Sequence, residues 1–231
     1  MISRGMKKTV IALSFLVLGL GLKAQFNINE LGKKTIYFGI AMGINMANYN
    51  LVPAPLTPKN DSVKTMRSSY GPGFNLGIIS NYQFHKYFDL RFIPTLSFSD
   101  KNINYQLLNS QEATKTISSI YLDFPLLVRF KSQPLKDVRI YVIAGSRYDY
   151  DLASNVKARR ADDIVKVKQN DVAVEYGIGI MIYFPYFILS PELKESHGVI
   201  NILSQTPGLL YSRTLQRIYS HTFTLTLNLE G

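Results

Sequence analysis

Few residues in this sequence are of types that do covalent or acid–base chemistry. The 231 residues include no Cys and three His, namely His85, His197 and His221. Without Cys there is no thiolate nucleophile, no thiolate metal site and no disulfide framework. Glu195-Ser196-His197 contains the residue types of a serine hydrolase. A nucleophile and its base must meet within hydrogen-bond reach, but consecutive residues of an extended chain point to opposite faces, so these three do not converge. Glu175 and Glu192 form a carboxylate pair of the kind used in general acid–base catalysis, yet nothing beside them implies a bound substrate. No metal-ligand spacing and no phosphate-cradling glycine loop occurs. Gly177 and Gly179 read as residues that save space in a narrow interior. Neither catalysis, a cofactor nor a metal centre is expected.

A second group of charged residues stands out by position instead. Asp89, Arg91, Asp123, Arg129, Arg139, Arg147, Asp149, Asp171, Glu175, Glu192 and Lys194 each occupy the polar phase of a segment that alternates polar and apolar residues. Period-two alternation is the mark of a strand. The first such segment sets Ile36, Phe38, Ile40, Met42, Ile44 and Met46 against Tyr37, Gly39, Ala41, Gly43, Asn45 and Ala47. The last sets Phe223, Leu225, Leu227 and Leu229 against Thr222, Thr224, Thr226 and Asn228. About eight segments of this kind follow one another, each near the ~9–11 residues that a tilted strand needs to cross a bilayer.

The connections alternate in length. His85-Lys86-Tyr87, Lys131 to Asp137 and Pro185-Tyr186 are short; Asn50 to Ser68, Asp100 to Thr116, Asp151 to Asn170 and Ser196 to Ser212 are long. One phase of the alternation is almost uniformly bulky and apolar, the other small or polar. The interior of an eight-stranded barrel is only wide enough for its own side chains. The small face fits that interior and the bulky face would overfill it, so the bulky face belongs in lipid. The fold expected is all-β, an eight-stranded antiparallel transmembrane β-barrel in which ring closure pairs every backbone group. Short turns then face the periplasm and long loops the outside. Tyr82, Phe84, Tyr87, Tyr183, Phe184, Tyr186 and Phe187 read as an aromatic girdle at the short turns.

The start of the chain agrees with export. Arg4, Lys7 and Lys8 precede an apolar run from Val10 to Leu22, and Ala24 closes a cleavage site before Gln25. Residues 1–24 are expected to be a signal peptide and 25–231 an outer-membrane barrel. The formal net charge is +10, and the positive residues outside the leader are scattered. They suit solubility or contact with outer-membrane lipid and lipopolysaccharide, and no nucleic-acid partner is expected. The basic stretch Lys157-Ala158-Arg159-Arg160, followed by Asp162-Asp163, reads as a solvated loop or a contact with lipopolysaccharide or a partner.

Depth along the strands sorts the inward charges. Asp89, Arg91, Arg129 and Arg139 are expected toward the periplasm, and Arg147, Asp149, Asp171, Glu175, Glu192 and Lys194 toward the outside, with Asp123 between. Arg147, Glu175 and Glu192 fall on consecutive strands and within reach of one another. Both levels carry both signs, so the charges can pair as a structural plug, or alternatively line a conducting or proton-linked path.

The stretch Tyr121-Leu122-Asp123-Phe124-Pro125-Leu126-Leu127-Val128-Arg129-Phe130 resembles a strand of the PorT-type outer-membrane barrels of Bacteroidetes. So do Tyr141-Val142-Ile143-Ala144-Gly145, Asp151-Leu152-Ala153-Ser154-Asn155, Glu175-Tyr176-Gly177-Ile178-Gly179 and Ser190-Pro191-Glu192-Leu193. The resemblance covers nearly all of the chain after the leader. It implies a component of the type IX protein secretion system, non-catalytic, acting as a scaffold or in assembly beside other secretion-system proteins. One departure is the ending Leu229-Glu230-Gly231, where many outer-membrane barrels end on an aromatic residue. A structural or adhesive barrel without a secretion role, and a lipid A-modifying barrel enzyme, are the alternatives.

Overall fold

The computed structural model describes residues 34–53, 63–107, 112–153, 167–204 and 215–231. The expected signal peptide and the basic loop around Arg159 lie outside the described residues. The strands are β1 (Ile36–Pro53), β2 (Val63–His85), β3 (Phe88–Phe92), β4 (Thr95–Leu107), β5 (Glu112–Lys131), β6 (Val138–Asp151), β7 (Asn170–Tyr183), β8 (Ile188–Gly198) and β9 (Leu215–Glu230). Each pairs antiparallel with its neighbours, and β1 pairs with both β2 and β9, so the sheet closes on itself.

Nine segments make eight staves, because β3 and β4 lie end to end between β2 and β5. The break falls at Ile93-Pro94, where proline has no N–H to give to a ladder. The gap does not shift the register: Ser80 faces Phe92 on one side of it and Gly77 faces Thr95 on the other. Ile78 N–H still donates to the Pro94 carbonyl at 3.0 Å. Ile93 turns inward and packs on Ala41 and Ile79.

Burial runs opposite to that of a water-soluble protein. Ile44 and Ile78 on the outer wall are 62% and 65% exposed, while Asp89, Arg91 and Arg129 are 0% exposed. The outer residues Ile36, Phe38, Ile40 and Met42 on β1 continue into Leu225, Leu227 and Leu76 on the neighbouring strands, all exposed. A continuous apolar belt of this extent far exceeds the patches that soluble monomers expose, and it matches the lipid-facing wall of a barrel.

Three expectations need correction. The long connections are shorter than the alternation suggests, because pairing persists to Pro53 and Leu215, to Val63 and Leu107, and to Gln106 and Glu112. Polar residues in these rims broke the alternation, although the backbone ladder continues through them. The interior is also not uniformly small and polar, since Leu127, Tyr141, Ile143, Met181, Tyr183 and Ile188 form an apolar cluster inside. Tyr183 thereby leaves the girdle: it is buried, with the Arg139 guanidinium 5.6 Å from its ring centre. Tyr82, Phe84, Tyr186 and Phe187 remain exposed at the short-turn end.

One glycine is required by close approach. Gly179 lies directly across from Tyr141, and a Cβ on Gly179 would enter the Tyr141 ring. The ring lies over the bare backbone of β7, an aromatic covering a cross-strand glycine. Gly179→Val is expected to lower the unfolding free energy by about 1–3 kcal/mol through overpacking, measured by urea unfolding in detergent. A gain in stability, which strand propensity alone would give valine, would count against this account.

Candidate functional site

The inward residues form two linked polar layers. The layer nearer the short turns is built on Arg91 and Arg129. Alternation along β3 puts Asp89 and Arg91 inside; along β5 it puts Arg129 and Lys131 inside. Arg91 Nη1 contacts Glu192 Oε2 at 2.6 Å, and its Nη2 contacts Glu230 Oε1. Its Nε donates to Asn81 Oδ1 at 2.9 Å, and Asn81 Nδ2 donates to Glu230 Oε2 at 3.0 Å. Arg129 contacts Asp89 Oδ2 at 2.5 Å and Glu230 Oε1 at 3.2 Å, and also donates to the Tyr37 hydroxyl. Lys131 Nζ reaches Asp89 Oδ1 at 2.6 Å. Tyr141 donates to Glu192 Oε2 at 2.7 Å, with the Arg129 guanidinium 5.2 Å from its ring centre.

Three cations thus meet three carboxylates with almost no exposure. Every stave but β7 contributes a side chain, and β7 supplies Gly179, which leaves room for Tyr141. Charges taken from water are costly unless paired and hydrogen-bonded. Here each guanidinium bridges two acids, so the layer is a closed cross-brace through the bore.

The second layer lies nearer the long loops. Arg147 contacts Asp149 at 2.7 Å and Glu175 at 3.2 Å, and Lys194 contacts Glu175 at 3.0 Å. Ser196 donates to Glu175 Oε2 at 2.9 Å and accepts from Arg147 at 2.9 Å. Lys101 donates to Tyr121 at 2.9 Å, and Asp171 accepts from Ser220. Asp123, Asp149, Glu175, Arg147, Lys194 and Lys101 surround a cavity of about 30 Å³, room for about one water.

The structure places the residues singled out by sequence as follows. Asp89, Arg91 and Arg129 share the first layer; Asp123, Arg147, Asp149, Glu175 and Lys194 share the second, with Asp171 at its upper edge. Arg139 lies over Tyr183, within electrostatic reach of Lys131 in the first layer. Glu192 is the correction. It bonds to Arg91 and Tyr141 in the short-turn layer, and its link to the upper layer is a 3.9 Å contact with Lys194. Strand tilt is the reason: residues equally far from a turn on different strands differ in height once the sheet is sheared into a barrel. Sequence reasoning missed Glu230, Lys131, Lys101, Tyr37, Asn81 and Tyr141 as parts of the network. The signal was available, since each lies on the inward phase of its strand.

The hydrolase-like triplet diverges. Ser196 points into the bore toward Glu175 and Arg147, while Glu195 and His197 lie on the outer wall beside Tyr176.

The family model described as outer membrane protein beta-barrel domain matches residues 17–204. No curated protein matches the chain. Among solved structures, the chain is similar to the outer membrane protein OprG from Pseudomonas aeruginosa, with 13% identity over 84% of this chain and 92% of that one and a TM-score of 0.45. It is similar to Neisserial surface protein A, with 11% identity over 85% and 97% and a TM-score of 0.45. It is also similar to the outer membrane protein AlkL in DMPC bilayers, with 11% identity over 90% and 95% and a TM-score of 0.48. The closed antiparallel ring, its exposed apolar wall and the family match lead to one conclusion: the chain belongs to the outer membrane protein β-barrel domain family and resides in the outer membrane.

Proposed function

We propose that the protein is a non-catalytic component of protein secretion across the outer membrane, of the type IX kind, acting as a scaffold or assembly factor. The observation that carries this reading is the closed bore. Arg91, Arg129, Lys131 and Glu230 fill its cross-section with almost no exposure, so the working surfaces are the wall, the turns and the loops. The PorT-type resemblance of Tyr121 to Phe130 and of Glu175 to Gly179 supplies the secretion context. Short turns face the periplasm in this reading, and the strands that run past the apolar belt hold the loops outward. Partners are outer-membrane lipid, lipopolysaccharide and other secretion-system proteins.

The test is a secretome comparison of wild type, a clean deletion and the complemented strain. Many exported proteins are expected to vanish from the medium and accumulate in the periplasm, with lipid A unchanged. An unchanged secretome would remove the secretion role and favour a structural or adhesive barrel. Altered lipid A with normal secretion would favour an enzyme.

A further inference from the structure

The sequence offers no metal-ligand spacing, but the sheet register creates one. Glu195 and His197 are two residues apart on β8 and share its outer face. His197 is paired directly with His221 on β9, which places three possible ligands on one patch of wall. Both imidazoles aim Nε2 at the same oxygen. Glu195 Oε1 lies 3.0 Å from His197 Nε2 and 2.9 Å from His221 Nε2. The ligand atoms of the three residues all lie within 4.8 Å of one another. The two rings stack with centroids 4.4 Å apart and planes 22° from parallel, so their nitrogens sit side by side.

We propose that Glu195, His197 and His221 form a binding site for a divalent transition-metal ion, with Zn2+ the best match, on the outer wall at the loop-end rim of the apolar belt. Two imidazole nitrogens and one carboxylate oxygen are the donor set that suits zinc, copper and nickel rather than magnesium or calcium. Zinc holds nitrogen and oxygen ligands at about 2.0–2.2 Å, which in a tetrahedral site sets them about 3.3 Å apart. The observed 2.9 and 3.0 Å separations need only a small retreat of Oε1 for an ion to replace the two hydrogen bonds.

The surroundings orient the ligands. The Tyr176 hydroxyl donates to Glu195 Oε2 at 2.9 Å, leaving Oε1 for the ion, and lies 3.1 Å from His197 Nε2, a contact that a bound ion would displace. The Tyr70 hydroxyl lies 3.2 Å from His221 Nδ1. With Nε2 on a metal, Nδ1–H would donate to that hydroxyl, the outer-shell partner that metal-bound histidines usually have. Location also permits loading from water. The outward residues Phe223, Leu225, Leu227 and Leu229 give way to His221, and Leu189, Pro191 and Leu193 give way to Glu195. The His197 and Glu195 side chains are 41% and 26% exposed.

The experiment is calorimetric titration of the purified barrel in detergent with ZnCl2, after chelator treatment. One ion is expected per chain. His197→Asn, His221→Asn and Glu195→Gln should each weaken binding by about tenfold or more, and Tyr70→Phe by about tenfold. His85→Asn, at the opposite end of the barrel, should leave binding unchanged. Unaltered heat-modifiable gel mobility checks that each variant is folded. Cu2+ loaded in place of Zn2+ should give an electron paramagnetic resonance spectrum with two coupled nitrogens, lost in either His197→Asn or His221→Asn. Absence of a binding heat, or binding that survives all three ligand variants, would overturn the proposal without touching the secretion reading.

Discussion

Arg91→Met should destabilise the barrel by about 3–5 kcal/mol, the usual consequence of leaving a buried charge unpaired. The measurement is urea unfolding in detergent or lipid. Arg91 sits between Glu192 and Glu230 with no exposure, so its loss leaves two carboxylates in a region with one fewer cation. The double variant Arg91→Met with Glu192→Leu restores equal numbers of each sign, with Arg129 and Lys131 against Asp89 and Glu230. It should recover roughly 2 kcal/mol of the loss, a coupling within the range found for contacting residues. Full recovery is not expected, because Tyr141 also loses the acceptor at 2.7 Å, which costs about 1–3 kcal/mol when left unmet. Additive losses in the double variant would mean that the two side chains do not act as a pair.

Removing the brace should open the bore. Wild-type protein in planar bilayers is expected to carry no steady ion current, since the short-turn layer fills the cross-section. Replacing Arg91, Arg129, Glu192 and Glu230 together by Ala deletes two cations and two anions, and leaves Asp89 and Lys131 paired at 2.6 Å. Discrete conductance steps are the expected result, limited by the narrow diameter of eight strands. Steady current through the wild type would instead identify the two polar layers as an ion path, and would require the Arg91 and Arg129 bridges to open in the membrane.

Strand parity was the most legible property. The phase in which Gly, Thr, Asn and most of the charged residues fall is the phase that faces inward, from Tyr37 on β1 to Glu230 on β9. Parity survives even the proline break between β3 and β4, because the register on both sides is the same. Height was much less legible. It depends on the shear of the closed sheet, which no single segment encodes, and so Glu192 belongs with Arg91 and not with Arg147. The contacts of Glu195 with His221 were hidden for a related reason: they join residues on neighbouring strands, and only register reveals them. Strand ends were obscured where polar residues interrupt the alternation of the sequence, as from Val63 to Ser69 and from Asp100 to Leu107, although the backbone pairing continues there.

Glu230 enters with the last strand, yet its two cationic partners belong to β3 and β5 on other parts of the ring. Until β9 arrives beside β1, Arg91 keeps only Glu192 and Arg129 only Asp89, and a guanidinium short of its second acid is unwelcome near hydrocarbon. The brace therefore acts as a closing signal. A partly formed sheet has every reason to remain at the membrane surface, where water can hydrate the two arginines. Insertion is thereby favoured at the moment the two edges of the sheet meet.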